Sequence, residues 1–271
     1  MQITLDDLKI NADFVERRIV SFIKEKVQEA KAKGGVIGLS GGVDSTTTAY
    51  LAVRALGKER VIGLIMPDRR TTPLEDVRDA LEVAKRLGIR YYLVDITDLY
   101  DTVSKIIPIF KPENFKANGN IRARLRMIIL YYYANSLDYM VIGTGDRSEL
   151  LIGYFTKYGD GGVDILPIGC LYKTQVRQMA AHLNVPKRIV SKPSSPRLWP
   201  GHEAEKELGL GYEEIDLILH GLIDLKMEPK EVAKATGLDI WKVMKVKDMI
   251  EHSKHKRSTP PTPKIPGLNE V

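Results

Sequence analysis

Apolar residues recur at helical spacing from the start of the chain. Leu8, Val15, Ile19, Phe22, Ile23 and Val27 alternate with charges, which predicts an amphipathic helix within the first 33 residues. At GGVIGLS (34–40) the pattern changes to a short buried strand entering a glycine turn. A helix follows over about 43–56, then an apolar strand, VIGLIM (61–66). Thr72-Pro73 opens the next helix, with Thr as cap and Pro at the first helical position, and Gly88 ends it. YYLVDI (91–96) predicts a third strand, followed by a short helix that stops at Pro108. A loop through Gly119 leads to the helix NIRARLRMIILYYYANSL (120–137) and a fourth strand, DYMVIGT (138–144).

Continuous apolar strands alternating with amphipathic helices predict an α/β fold: a doubly wound, Rossmann-like parallel sheet covered on both faces. Ligands of such sheets bind beyond the carboxyl ends of the strands. That places the loops 40–45, 67–72 and 144–149 around one crevice. Past Pro167 the strand pattern stops. A helix is expected over 173–184, and PKRIVSKPSSPRLWPG (186–201) is too rich in Pro and Ser to be regular. Two or three helices cover 212–252, and the tail from Ser258, with its four prolines, is expected to be extended. No internal repeat is visible. The expected organisation is one domain over 1–271, with the core sheet at about 34–185 and C-terminal loop, helices and tail at about 186–271.

Composition changes little in this picture. The 271 residues suffice for a sizeable core, and 44% hydrophobic with 28% charged residues is ordinary for a globular protein. No apolar run approaches the roughly 20 residues of a membrane span, and MQITLDDLKINADF lacks a signal core, so cytoplasm is expected. A single cysteine, Cys170, excludes an intrachain disulfide framework or a Cys-rich zinc site; it reads as a packed small hydrophobe. The net charge of +6 suits nucleic acid, ATP or a dinucleotide equally. Basic residues are spread along the chain except at Lys254, His255, Lys256 and Arg257, so charge alone selects no partner.

The chemistry concentrates in two segments. SGGVDS (40–45) lies between a strand and a helix. Gly41 and Gly42 allow a tight turn and close backbone approach, while Ser40, Ser45 and the free amides of the helix start form an anion cradle. Asp44 suits magnesium bridging phosphates better than bare phosphate. The loop is neither a Walker A nor a GxGxxG fingerprint, and a glycine turn with a Ser/Asp cap is the bland alternative. The second segment is GTGDRSELLIGYFTKYGDGGVDILPIGCLYKTQ (143–175). It places Thr144 and Glu149 at a strand end facing the phosphate loop, and Asp44 with Glu149 would supply two carboxylates for magnesium. Lys157, Asp160 and Asp164 ride on a glycine-rich loop able to wrap a ligand. Lys173, a cation at a helix start, opposes the dipole and calls for an anionic ligand. A structural loop with solvated charges is the alternative here.

SGGVDS resembles the SGGxDS loop of the ATP pyrophosphatase superfamily, which includes NAD, GMP, asparagine and argininosuccinate synthetases and tRNA-thiolating enzymes. The resemblance implies an adenine nucleotide alpha hydrolase-like fold and cleavage of ATP between its α and β phosphates. The 143–175 segment resembles the NAD synthetase family, whose pattern there is GT…E…GxFTKxGDGGxD…P…L.K.Q. GNIRARLRM (119–127) and HSKHKR (252–257) extend the likeness in order along the chain.

That resemblance implies ATP contacts from Gly38, Leu39, Ser40, Gly41, Gly42, Val43, Asp44 and Ser45, and from Thr144, Lys173 and Ser195. It implies Mg2+ held by Asp44 and Glu149, and deamido-NAD held by Arg124, Lys157, Asp164, His255 and Lys256. The nicotinate carboxylate would attack the α-phosphorus, and ammonia would then displace AMP. Lys173, the backbone amides and the magnesium held by Asp44 would neutralise charge, and Asp164 would orient or deprotonate ammonium. Glutamine-using relatives carry an amidase domain with a catalytic cysteine, for which 271 residues leave no room, so free ammonia or a partner is the expected nitrogen source. The family is dimeric, and the apolar surface of helix 120–137 offers a homodimer interface.

Three departures bear on the site. Val43 stands where bacterial members often have Gln. MPDRRTTPLED (66–76) replaces an LPYGxQxDE-like loop, leaving contacts of Arg69 and Arg70 open, and Ser195 replaces a threonine hydroxyl. Two competing readings remain. A tRNA-thiolating enzyme fits the charge but usually needs more than one cysteine. EVAKATGLDIWKV (231–243) has helix-turn-helix spacing, which would make a DNA-binding protein.

Overall fold

The structure, a computed structural model, describes residues 2–263; Met1 and residues 264–271, which include the end of the expected tail, lie outside the described residues. The chain forms α1 (Ala12–Glu29), β1 (Gly34–Gly38), α2 (Val43–Leu56), β2 (Val61–Ile65), α3 (Leu74–Leu87) and β3 (Arg90–Leu93). Then come α4 (Thr97–Ile106), α5 (Phe115–Leu137), β4 (Tyr139–Val141), α6 (Arg147–Ile152), α7 (Lys173–His182) and α8 (Lys187–Val190). The C-terminal part adds α9 (Ala204–Leu208), α10 (Tyr212–Leu219), α11 (Pro229–Thr236) and α12 (Ile240–His252).

Among the described residues the sheet has four strands, all parallel, in the order β3-β2-β1-β4. β1 pairs with both β2 and β4, so the chain reverses its direction of winding there and the loops leaving β1 and β4 open into one crevice. Alternation along β1 feeds both faces. Val36 packs with Leu64, Ile96, Ala134 and Val141 on the α4–α5 side. Ile37 packs with Ile23, Leu51, Val83 and Met179 from α1, α2, α3 and α7. This is the expected doubly wound α/β arrangement. Truncating such a fully enclosed side chain to Ala costs roughly 2–5 kcal/mol.

The C-terminal helices build their own apolar centre. Tyr212, Ile215 and Ile218 of α10 meet Val232 of α11 and Val243 and Val246 of α12. The 231–243 hairpin therefore spends its apolar face on packing, a plain physical reason for its helix-turn-helix spacing.

Some boundaries differ from expectation. Thr72 does not cap α3: its hydroxyl accepts the Asp68 amide at 3.1 Å, and Pro73 occupies the cap position itself. β3 ends at Leu93 because Asp95 turns the chain, accepting the Thr97 amide at 2.8 Å. α5 starts five residues early, with Asn114 capping Ala117 at 3.2 Å. Gly119 is not a loop residue; it lies inside α5, where a Cβ would come within 2.7 Å of Leu198. The stretch 186–201 is not irregular throughout, because residues 187–190 form the short helix α8, and Cys170 is exposed rather than packed.

Candidate active site

A cavity of about 770 Å³ lies over the carboxyl ends of β1, β2 and β4, a volume suited to a nucleotide-sized ligand. Gly38, Leu39, Ser40, Gly42, Val43, Asp44 and Ser45 line it from β1 and α2, with Thr144 and Glu149 opposite. Of the three loops expected around the crevice, the one after β2 contributes Pro67 and Thr72. Arg69 instead pairs with Asp95 and Asp98, and Arg70 with Asp101. That loop is anchored from below by a buried ion pair, Arg122 Nε to Asp68 Oδ2 at 2.6 Å.

The SGGVDS loop is shaped as an anion cradle. Gly41 has φ +77°, and a Cβ there would lie 2.2 Å from Asp76 O, so only glycine fits. Ser40 and Ser45 hold the turn together through their hydroxyls, 3.0 Å apart, and Ser45 Oγ also accepts the Ser40 amide at 3.2 Å. The first helical bond of α2 runs from Thr46 N to Gly42 O, and Gly42 offers no side-chain cap. The amides of Val43, Asp44 and Ser45 thus face the cavity mouth with the positive end of the helix dipole behind them. Val43 is also packed into the core, consistent with an apolar residue at this position.

Opposite this loop the sequence reading missed one member of the site. Lys173 Nζ sits 2.7 Å from Asp44 Oδ2, 2.8 Å from Asp146 Oδ2 and 2.9 Å from Glu149 Oε1, with the lysine side chain fully buried. Asp146, also fully buried, is the unforeseen carboxylate. Burial works against the ammonium, but Asp146, Asp44 and Glu149 together hold Lys173 well above the ordinary lysine range. Burial, joined by the neighbouring negative charges, pushes the Asp146 and Glu149 carboxyls up. Asp146 is legible in DRSE as the cap of α6: it accepts the Glu149 amide at 2.8 Å, the signature of a capping box. The sequence shows the cap but hides the second oxygen's aim at Lys173.

The anion expected beside Lys173 is therefore carboxylate in this structure. Nor do the first two α7 amides remain for a ligand. Lys173 N donates to Ser148 Oγ at 2.9 Å, and Thr174 N donates to Asp216 Oδ2 at 2.8 Å.

The remaining expected residues divide by location. Ser195 lines the cavity, but its hydroxyl donates to the His202 carbonyl, while the buried Ser194 Oγ has no partner. His255 and Lys256 also line it. Lys256 Nζ donates to Gly153 O and Phe155 O, both at 2.7 Å, and burial lowers its pKa. Arg124, Lys157 and Asp164 lie outside the cavity lining, near the outer side of α5. Arg124 donates to Lys157 O at 3.2 Å, Lys157 Nζ to His255 O at 2.7 Å, and Tyr131 to Asp164 at 3.0 Å.

Arg126, two residues beyond Arg124 on a different helical face, lines the cavity and donates to Met66 O at 2.9 Å. Burial lowers its pKa to about 10. Lys192 and Arg197 also line it, tying the 192–202 loop to Asp76 at 3.0 and 2.8 Å. Trp199 stacks on His202 with ring centroids 3.4 Å apart. No local signal marks these residues, because their partners lie far away in sequence.

An uncapped helix start facing a buried carboxylate–lysine cluster, over the carboxyl edge of a parallel sheet, defines an α/β enzyme that binds a nucleotide phosphate chain. The comparisons narrow the class. A sequence model of NAD synthase matches residues 15–260. The NH(3)-dependent NAD(+) synthetase of Hyperthermus butylicus is 58% identical over 264 residues, 97% of this chain and 95% of that protein. Among solved structures, NMN synthetase from Francisella tularensis superposes with TM-score 0.84 and 34% identity, covering 95% of this chain and 100% of that one. The NH3-dependent NAD synthetase of Campylobacter jejuni gives TM-score 0.79 and 29% identity over 94% and 100% of the two chains. This chain belongs to the NAD synthase family.

Proposed function

We propose that the protein performs ATP-dependent amidation of deamido-NAD by ammonia, serving NAD biosynthesis, with AMP and pyrophosphate released. The observation that carries the reading is the uncapped start of α2 in a cavity lined by Asp44 and Glu149, with Lys173 and Asp146 fully buried against that pair.

The donor set fits magnesium. Asp44, Asp146 and Glu149 each present a carboxylate oxygen within 4.8 Å of the others, and the buried Asp44 Oδ1 has no hydrogen-bond partner. Such hard anionic oxygens suit Mg2+, which when bound with ATP neutralises charge on the phosphates. The α2 amides, with Ser40 and Ser45, hold the phosphate chain, and Thr144 borders it. Positioning then brings the nicotinate carboxylate onto the α-phosphorus, and ammonia attacks the activated carbonyl to expel AMP. No nucleophilic side chain is required; Cys170 does not line the cavity.

Deamido-NAD is assigned to Lys256 and His255 at the cavity wall and to Arg124, Lys157 and Asp164 by α5, with Asp164 orienting ammonium. Exposed Ile128 and Tyr132 on α5 support a homodimer across that helix. One cytoplasmic domain is the organisation proposed; no helix among the described residues is long and apolar enough to cross a membrane.

The test is a product assay with ATP, magnesium, ammonium and either deamido-NAD or its mononucleotide counterpart, an arm motivated by the Francisella likeness. NAD formed with stoichiometric AMP and pyrophosphate is expected. ADP and orthophosphate would overturn the phosphate-loop reading, and preference for the mononucleotide would overturn the dinucleotide assignment.

A further inference from the structure

With all four groups ionised, three carboxylates and one ammonium leave the cluster two positive charges short of balance. Lys173 Nζ lies within 2.9 Å of an oxygen on each of Asp44, Asp146 and Glu149. A divalent cation taking the same oxygens would stand within a few ångströms of that ammonium, where like charges in a water-poor pocket repel strongly. Both cannot hold the same oxygens.

The lysine backbone is pinned by Ser148, so only its side chain can yield. One of its partners, Asp44, belongs to the first turn of α2, beside the amides assigned to phosphate. We propose that Lys173 is the resident counter-ion of the Asp44–Asp146–Glu149 cluster in the nucleotide-free protein. Divalent metal and Lys173 exclude each other there until a triphosphate arrives to receive the ammonium. Metal and nucleotide binding are then coupled through one side chain, and by linkage each strengthens the other. The proposal rests on reading this cavity as the ATP site.

The test uses Mn2+ alone as probe, with affinity read by electron paramagnetic resonance on the full chain and thermal midpoints followed in parallel. The wild type should bind Mn2+ weakly without nucleotide, and Lys173→Met should tighten that binding tenfold or more. In chelator, Lys173→Met should melt lower than the wild type and recover on adding Mn2+, because its carboxylates then regain a counter-ion. A non-hydrolysable ATP analogue should tighten Mn2+ binding more in the wild type than in Lys173→Met.

If Lys173→Met does not fold, Asp146→Asn relieves one charge and keeps a capping side chain. Adding Lys173→Met to Asp146→Asn should then tighten Mn2+ binding relative to Asp146→Asn alone. Equal Mn2+ affinities with and without the lysine would overturn the proposal, as would no Mn2+ binding in any protein with or without nucleotide. Either result could coexist with normal formation of NAD, AMP and pyrophosphate by the wild type, so the two readings fail separately.

Discussion

Ser148 Oγ lies 2.9 Å from the amide nitrogen of Lys173 and donates in turn to Asp216. One buried hydroxyl thus joins α6, α7 and α10, and fixes where the lysine stem leaves the backbone. All three residues are buried, so the lysine's approach to Asp44 is set by packing rather than by a flexible surface arm. Precision of this kind matters because charge stabilisation during phosphoryl chemistry falls off steeply when donors are displaced.

As pyrophosphate leaves, charge builds on the α,β-bridging oxygen, and an ammonium released from the carboxylates would meet it there. Lys173→Met should lower turnover by roughly two to three orders of magnitude, as does loss of an oxyanion-type donor. ATP affinity should fall much less, because the α2 amides remain. Lys173→Arg should recover only part of the rate, since a planar fork does not replace a compact point charge. Steady-state kinetics at saturating substrates check this; normal turnover with lost ATP affinity would make the lysine a simple binder.

The carboxylates should separate by magnesium titration. Asp44→Asn, Glu149→Gln and Asp146→Asn should each raise the magnesium concentration giving half-maximal rate, as each removes a hard anionic oxygen. Asp146→Asn is the informative member, because asparagine can keep the helix cap. An unchanged magnesium requirement in that variant would confine Asp146 to capping and to pairing with Lys173.

Legibility in the sequence followed the range of the interactions. The sheet was readable because β1 and β2 are buried on both faces, giving continuous apolar runs. SGGVDS was readable because its requirements are local: a positive φ at Gly41 and a helix start without a cap. Asp146 was masked by doing two things at once, since its local role as a cap accounts for its presence. In RARLRM the alternation of arginines does not say which helical face meets the cavity; Arg126 lines it, whereas Arg122 buries itself against Asp68 and Arg124 stays exposed. The Trp199–His202 stack and the Lys192 and Arg197 links to Asp76 depend on partners from separate elements, which no spacing rule reveals.

The C-terminal latch makes a stability prediction. Arg257 donates to Leu150 O at 3.0 Å and to Leu151 O and Ile250 O at 2.7 Å. A tail that only closed over bound dinucleotide would leave the ligand-free melting temperature untouched. Docked as it is, Arg257→Ala removes a charged donor from three carbonyls, leaving each only a longer bond from Gly153 N or Ser253 Oγ, and should cost about 1–3 kcal/mol. That corresponds to roughly 2–4 °C in Tm per kcal/mol for a chain of this size class. Calorimetry without ligand decides between them; an unchanged Tm would mean the latch forms only with substrate.

Asp216 gives the fold a pH dependence whose sign can be stated. Burial pushes its carboxyl up to about 6 from an ordinary 3.8, although Ser148 and the Thr174 amide both favour the charged form. The folded protein therefore binds this proton more tightly than the unfolded chain does. The associated stability is fully present below about pH 3.8 and is lost as pH rises through about 6. At neutral pH the protein carries the full cost of a buried charge, whose return is a fixed acceptor for Thr174 N and Ser148 Oγ. Asp216→Asn abolishes the titration while keeping an acceptor for the Thr174 amide. Denaturant unfolding of both proteins from pH 4 to 7.5 should show the wild type losing stability relative to the variant as pH rises. The relative loss should reach at most roughly 3 kcal/mol, at about 1.4 kcal/mol per pKa unit. Parallel stability curves would mean that the carboxyl titrates alike in both states, and that its hydrogen bonds offset its burial.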